Sequence, residues 1–200
     1  MTPVSRSIII AITGASGTVY GLRLLEEAFR SGLEVDLVVS EPGYYVLETE
    51  CGVRLSGDAD EDRKTLTERF GNGVLRLHSN RNFASPLSSG SSLGADMVIA
   101  PCTMGTVGRI AGGVSTCLID RAADVTLKEK RRLILLPRET PLNAIHLENL
   151  LRLSRAGAVI LPPMTGFYHQ PQSVDDMIDF VIGKVLDVLG IEHSLYKRWS

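Results

Sequence analysis

Short apolar runs alternating with segments of helical spacing predict a Rossmann-like fold for this 200-residue chain. The class is α/β: a single three-layer α/β/α domain around a mainly parallel sheet. Two further observations support it. The first apolar run ends in Gly14-Ala15-Ser16-Gly17, a strand-to-helix turn. Near the other end Val174, Met177, Ile178, Val181, Ile182, Val185 and Leu189 recur at helical spacing, predicting a helix over 174–189.

Taken in order, Ser7 to Thr13 (SIIIAIT) is β-branched and apolar, a buried strand, and Thr18 to Arg30 follows as a helix with Leu22, Leu25 and Phe29 on one face. Glu34 to Ser40 is the second strand and Pro42 to Glu50 a short helix. Residues 52–73 are polar, with a helix from Glu61 to Phe70, and Val74 to Leu77 is a weak third strand. Residues 80–94 (NRNFASPLSSGSSLG) form a loop long enough to suggest that it binds something. Met97 to Ala100 is a fourth strand ending at Pro101, followed by helices Thr103 to Ala111 and Asp120 to Lys130. Leu133 to Leu136, helix Asn143 to Arg155 and Ala158 to Leu161 complete the alternation before the last helix. One domain spans 1–200, with a core over about 7–190 and a tail, 191–200, expected to pack on a neighbouring subunit through Tyr196 and Trp199.

Net charge is −2 and no basic block is present, which leaves no electrostatic footprint for nucleic acid. Cys51, Cys102 and Cys117 form no CxxC pair, so neither a disulfide framework nor a metal site is expected, and a cytoplasmic setting is. No apolar run is long enough for a membrane span.

In such sheets ligands bind beyond the carboxyl ends of the strands. That rule selects Gly14–Gly17, Ser40, Pro101–Thr106, Pro137–Thr140 and Pro162–Tyr168. The glycine turn suits a phosphate at a helix N-terminus, or is simply a tight turn; without G-x-G-x-x-G, a mononucleotide fits better than a dinucleotide. Thr103 and Thr106 hold a phosphate or cap a helix, the cap being the plainer reading. Cys102 at a strand end reads as packing. Arg138-Glu139, between Pro137 and Pro141, is either a surface charge pair or an anion clamp beside a proton donor. Arg121, Lys128 and Lys184 are further cations for the same anion, although Lys184 also reads as a snorkelling lysine. Glu50 reads as a solvated helix residue, and His146 and His169 are not offered as metal ligands.

Together the segments ITGASGTVYGLRLL, ASPLSSGSS, PCTMGTVGRIAGG, RAADVTLKEKR, LPRETPLNAIHLENL, GAVILPPMTGFYHQPQSVDDMIDFVIGKVLD and KRW resemble the UbiX-type flavin prenyltransferases, from about residue 7 to Trp199. The resemblance implies bound FMN and a homododecamer with active sites at subunit interfaces. It implies transfer of a dimethylallyl group from dimethylallyl monophosphate to N5 and C6 of reduced FMN, without metal. The product would serve a UbiD-type decarboxylase. By position it implies FMN contacts at Gly14, Ala15, Ser16, Ser40, Thr103, Met104, Gly105, Thr106 and Arg138. Tyr168 and Lys184 fall at the donor phosphate, supported by Arg121 and Lys128, and Phe83 falls in the prenyl pocket. Ser16, Glu50 and Glu139 fall on positions that handle protons. Met104, Gly105, Met164 and Thr165 depart from commoner forms of the motifs. Two other readings are an FMN-dependent cysteine decarboxylase of the same fold, for which His78 would be the histidine near the third strand, and a non-catalytic flavin carrier.

Overall fold

The computed structural model describes residues 7–90 and 95–198. Six strands, β1 (Ser7–Ile12), β2 (Glu34–Val39), β3 (Leu75–Ser79), β4 (Asp96–Cys102), β5 (Leu133–Pro137) and β6 (Val159–Ile160), form one parallel sheet in the order β3-β2-β1-β4-β5-β6. The order reverses between β1 and β4, so the crevice for a ligand lies beyond the ends of those two strands.

Burial on both faces explains why the strands read as unbroken apolar runs. On one face Ile8, Ile10 and Ile12 of β1 pack with α1 (Thr18–Arg30), α3 (Ala59–Phe70) and α7 (Val174–Leu189). On the other, Ile9 and Ala11 pack with α4 (Met104–Ala111), α5 (Leu118–Lys128) and α6 (Ala144–Arg155). A short helix, α2 (Glu41–Cys51), follows β2 and packs against α1.

The third strand starts one residue later than expected and runs on to Ser79. Its polar residues are accommodated because it is an edge strand whose Arg76 and His78 both reach the Asp36 carboxylate of β2. The fourth strand passes through Pro101 instead of stopping there. Proline has no N–H to give, and the pairing with β5 shifts register between Ile99 and Cys102, while the Pro101 carbonyl accepts bonds from the Thr13 N–H (3.2 Å) and hydroxyl (2.7 Å). The serine-rich loop is not idle chain. Pro86–Ser88 forms a 3₁₀ turn whose Leu87 is buried in the second core, and Asn80 accepts from the Leu118 and Ile119 amides at the start of α5. Ser91 and Ser92 of that loop, and Trp199, lie outside the described residues.

In the tail, Tyr196 is buried in its own chain, over Gly183 of α7, with its hydroxyl donating to Asp187 at 2.6 Å. Arg198 (2.7 Å) and His193 (3.2 Å) bond the same carboxylate. Burial raises the Asp187 pKa, but the three hydrogen bonds outweigh it and hold the group below its ordinary value.

Candidate functional site

The glycine turn is shaped first by packing. A Cβ on Gly14 would lie 2.3 Å from the Cβ of Pro42 in α2, and Gly17 has φ +99°, a conformation glycine adopts without steric cost. The N-terminus of α1 is already served from within the chain. Glu50, at the far end of α2, accepts from the Gly17 amide at 2.8 Å, the Thr18 amide at 3.2 Å and the Thr18 hydroxyl at 3.2 Å, and from the Ser16 hydroxyl. Burial raises its pKa, and these donors overcome that and keep the carboxylate below its usual range. Ser16 and Glu50, separated by more than thirty residues in sequence, are therefore adjacent. Glu50 is not simply a solvated helix residue.

Two other helix N-termini at this edge, those of α2 and α4, are capped locally by their own N-cap side chains. Ser40 accepts from the Gly43 amide at 3.1 Å, and Thr103 from the Thr106 amide at 3.2 Å. The plainer reading of Thr103 holds within the chain. What remains for a ligand is a different set of groups. The amides of Gly14, Ala15 and Ser16 bond no other described residue. The half-buried Arg138 forms no ion pair among the described residues, although its charge lowers the Tyr20 pKa that burial otherwise raises. Arg138 is fixed from behind, its own amide donating to the Cys102 carbonyl at 3.1 Å. Three amides, a cation and the Thr103 hydroxyl border the β1–β4 crevice, a donor set suited to the phosphate and carbonyl oxygens of FMN. Met104 is buried and Gly105 is exposed, with Arg109 3.7 Å from where its Cβ would stand.

Arg138 and Glu139 are neighbours that do not pair. Among the described residues Glu139 accepts only from the Thr140 amide, at 3.1 Å, and its side chain is exposed at the end of β5. The two side chains thus form no ion pair with each other, and Glu139 stands exposed. Cys102 is wholly buried and its burial pushes the thiol pKa far up, which suits packing and not nucleophilic attack.

The remaining cations do not converge within one chain. Lys184 sits on α7, 5.5 Å from the Phe180 ring and 5.0 Å from that of Tyr196, and Tyr168 meets Phe180 edge to face at 5.7 Å. A hydrogen bond with Tyr196 raises the Lys184 pKa. Arg121 and Lys128 belong to α5 on the opposite face of the sheet, where Arg121 bonds the Ser88 carbonyl (3.1 Å) and Asp124 (2.7 Å), and Lys128 pairs with Glu129 (2.5 Å). Phe83, 48% exposed, stands on the loop that Asn80 joins to α5. Lys184 on α7, and Arg121 and Lys128 on α5, thus stand on opposite faces of the sheet.

Several neighbours of these groups escape a reading by residue type: Thr13, Tyr20, Asn80, Arg109, Asp120 and Phe180. Only Thr13 gives a signal, as the hydroxyl that closes an aliphatic strand at the ligand edge. His78 is held at both ring nitrogens, by Asp36 at 2.8 Å and Ser85 at 3.0 Å, so it is committed to the sheet edge.

The flavoprotein family pattern matches residues 2–186. Flavin prenyltransferase UbiX of Halalkalibacterium halodurans is 49% identical over 193 residues, 96% of this chain and 92% of that protein. The crystal structure of AnUbiX in complex with FMN and dimethylallyl pyrophosphate has a TM-score of 0.89 at 36% identity, covering 98% of each chain. A dodecameric FMN-dependent UbiX-like decarboxylase from Escherichia coli O157:H7 has a TM-score of 0.86 at 38% identity, covering 97% of this chain and 99% of its own. With similarity of this extent along its whole length, the chain belongs to the flavoprotein family and, within it, to the UbiX-type flavin prenyltransferases.

Proposed function

We propose that this protein transfers the dimethylallyl group of dimethylallyl monophosphate to N5 and C6 of reduced FMN, and that its donor site is completed by another copy of the chain. The single observation that carries the catalytic part is the unpaired Arg138-Glu139 dipeptide at the end of β5. A cation that meets no carboxylate among the described residues can grip an anion, and an acid group beside that anion is placed to give it a proton.

Reduced FMN, when bound, supplies the two nucleophilic ring positions. The chain's own residues supply the rest. The Gly14, Ala15 and Ser16 amides, Ser40, the 103–106 turn and Arg138 hold the flavin. Tyr168 and Lys184 from one copy, with Arg121 and Lys128 from another, bind the donor phosphate and spread its charge as the carbon–oxygen bond breaks. Glu139 protonates the departing phosphate. Ser16 and Glu50 form a hydroxyl–carboxylate pair that takes up a proton released at the flavin. Phe83 shields the prenyl chain from water.

Symmetric homo-oligomers place two faces of one chain side by side, and a dodecamer, as in the E. coli relative, satisfies this need. The prenylated FMN is consumed by a UbiD-type decarboxylase. The cytoplasm fits three cysteines that form no disulfide. The test is to incubate the protein with reduced FMN and dimethylallyl monophosphate and weigh the flavin. A mass increased by one five-carbon unit is expected; unchanged FMN, with the diphosphate also tried as donor, overturns the reading.

A further inference from the structure

Behind the 103–106 turn lies a hydrogen-bonded chain that no sequence motif announces. Asp120, in the first turn of α5, is 1% exposed, and its Oδ2 accepts from Arg109 Nε at 2.8 Å and from the amide and hydroxyl of Thr116 at 3.1 and 2.9 Å. Arg109 Nη2 donates to Thr106 Oγ1 at 3.2 Å, and Thr106 Oγ1 lies 2.9 Å from Thr103 Oγ1. Thr103 Oγ1 also accepts from the Thr106 amide.

The donor inventory gives this chain a direction. A guanidinium has no acceptor, so Thr106 Oγ1 must accept from Arg109. A hydroxyl has one proton, and the Thr103–Thr106 bond can run either way. If Thr103 donated, the proton of Thr106 would be stranded on a residue 2% exposed, with no other acceptor among the described residues. A buried donor without a partner is the costlier arrangement. Thr106 therefore donates to Thr103, and Thr103 is left with two accepted bonds and its own proton unspent. That residue is half-buried at the end of β4, at the crevice.

We propose that Arg109 and Asp120 are positioning residues which set this hydroxyl pair and make Thr103 a dedicated hydrogen-bond donor to an acceptor oxygen of the bound flavin. The inference rests on the reading that the 103–106 turn faces FMN. Asp120 has a defined part: its carboxylate takes one edge of the planar guanidinium and leaves Nη2 for Thr106, an orientation the point charge of lysine does not provide. The acceptor is an oxygen of the flavin phosphate or of the ring system and its side chain, and comparing FMN with riboflavin separates them.

The test is a set of FMN and riboflavin titrations of the full-length protein. Thr103→Val is expected to weaken flavin binding roughly tenfold, the worth of one hydrogen bond to a strong acceptor, and Thr103→Ser to retain it. Arg109→Met is expected to weaken binding several-fold, and the double variant Arg109→Met/Thr103→Val to bind no worse than Thr103→Val alone. Losses confined to FMN identify the phosphate as acceptor, and losses shared by riboflavin identify the remainder; both support the inference. Arg109→Met binding both flavins like wild type, or losses that add in the double variant, overturns it. Wild-type protein that binds neither flavin overturns the reading of the turn and this inference with it. Asp120→Asn should match Arg109→Met; should it fail to fold, Arg109→Met, whose native side chain is 37% exposed, decides the question alone.

Discussion

At the β1–β4 crevice, residues far apart in sequence close on one another inside a single chain: Ser16 on Glu50, Thr13 on Thr103, Arg109 on Asp120. The cations assigned to the prenyl donor behave in the opposite way. Lys184 with Tyr168, and Arg121 with Lys128, are each tied to local partners and divided by the sheet. The difference supports the proposal that the donor site needs a second copy, whereas the contacts bordering the β1–β4 crevice form within one chain. It also locates where damage should be intrinsic and where it should depend on assembly.

The largest effect should come from Glu139, at the end of β5. Glu139→Gln keeps its size and hydrogen-bonding capacity but has no proton to lose to phosphate. Single-turnover formation of prenylated flavin should fall by about 10²–10⁴ while FMN affinity is kept. A wild-type rate would remove Glu139 from the chemistry.

Gly14→Ala attacks the cradle. Its new Cβ meets Pro42 at 2.3 Å, and overpacking of this kind costs about 1–3 kcal/mol. A lower thermal midpoint with weaker FMN binding is expected, and neither change would show that the turn can yield. Tyr196→Phe tests the tail on the α7 side. Losing one hydrogen bond to a partly exposed carboxylate should cost about 1 kcal/mol in chemical denaturation. The pH dependence follows with a definite sign. Asp187 is held below its unfolded value of 3.8, so its contribution is complete above that value and disappears as pH falls through the lower folded one. In Tyr196→Phe that acid-side loss should be shallower, and an unchanged acid limb in urea melts would contradict the assignment.

The strands were legible because burial on both faces leaves an unbroken aliphatic signature, and α1 and α7 because their apolar stripes are clean. The third strand was cut short at Leu77 because His78 and Ser79 look like loop residues until Asp36 is beside His78. The ligand edge was legible as a set of strand ends, but not the contacts across it. No spacing rule joins Ser16 to Glu50 or Arg109 to Asp120, since each bond spans a turn or a helix packing that exists only after folding. The placement of the cations was illegible for a related reason. Charge can be read along a chain, but the face of the sheet on which each charge stands comes from the crossover connections. The contact of Tyr196 with its own α7 was not legible, because an aromatic residue near a chain end has the same appearance whichever surface receives it.

The claim that the donor site is shared between copies is tested most directly by complementation. Lys128→Met and Lys184→Met each remove one cation, on opposite faces of the sheet, and each variant alone should lose most prenyl transfer. Co-expressed in equal amounts and assembled together, they should regain activity at about a quarter of the sites, those formed by an intact α5 from one copy and an intact α7 from another. Activity in the mixed assembly no higher than in the separate variants would contradict the account.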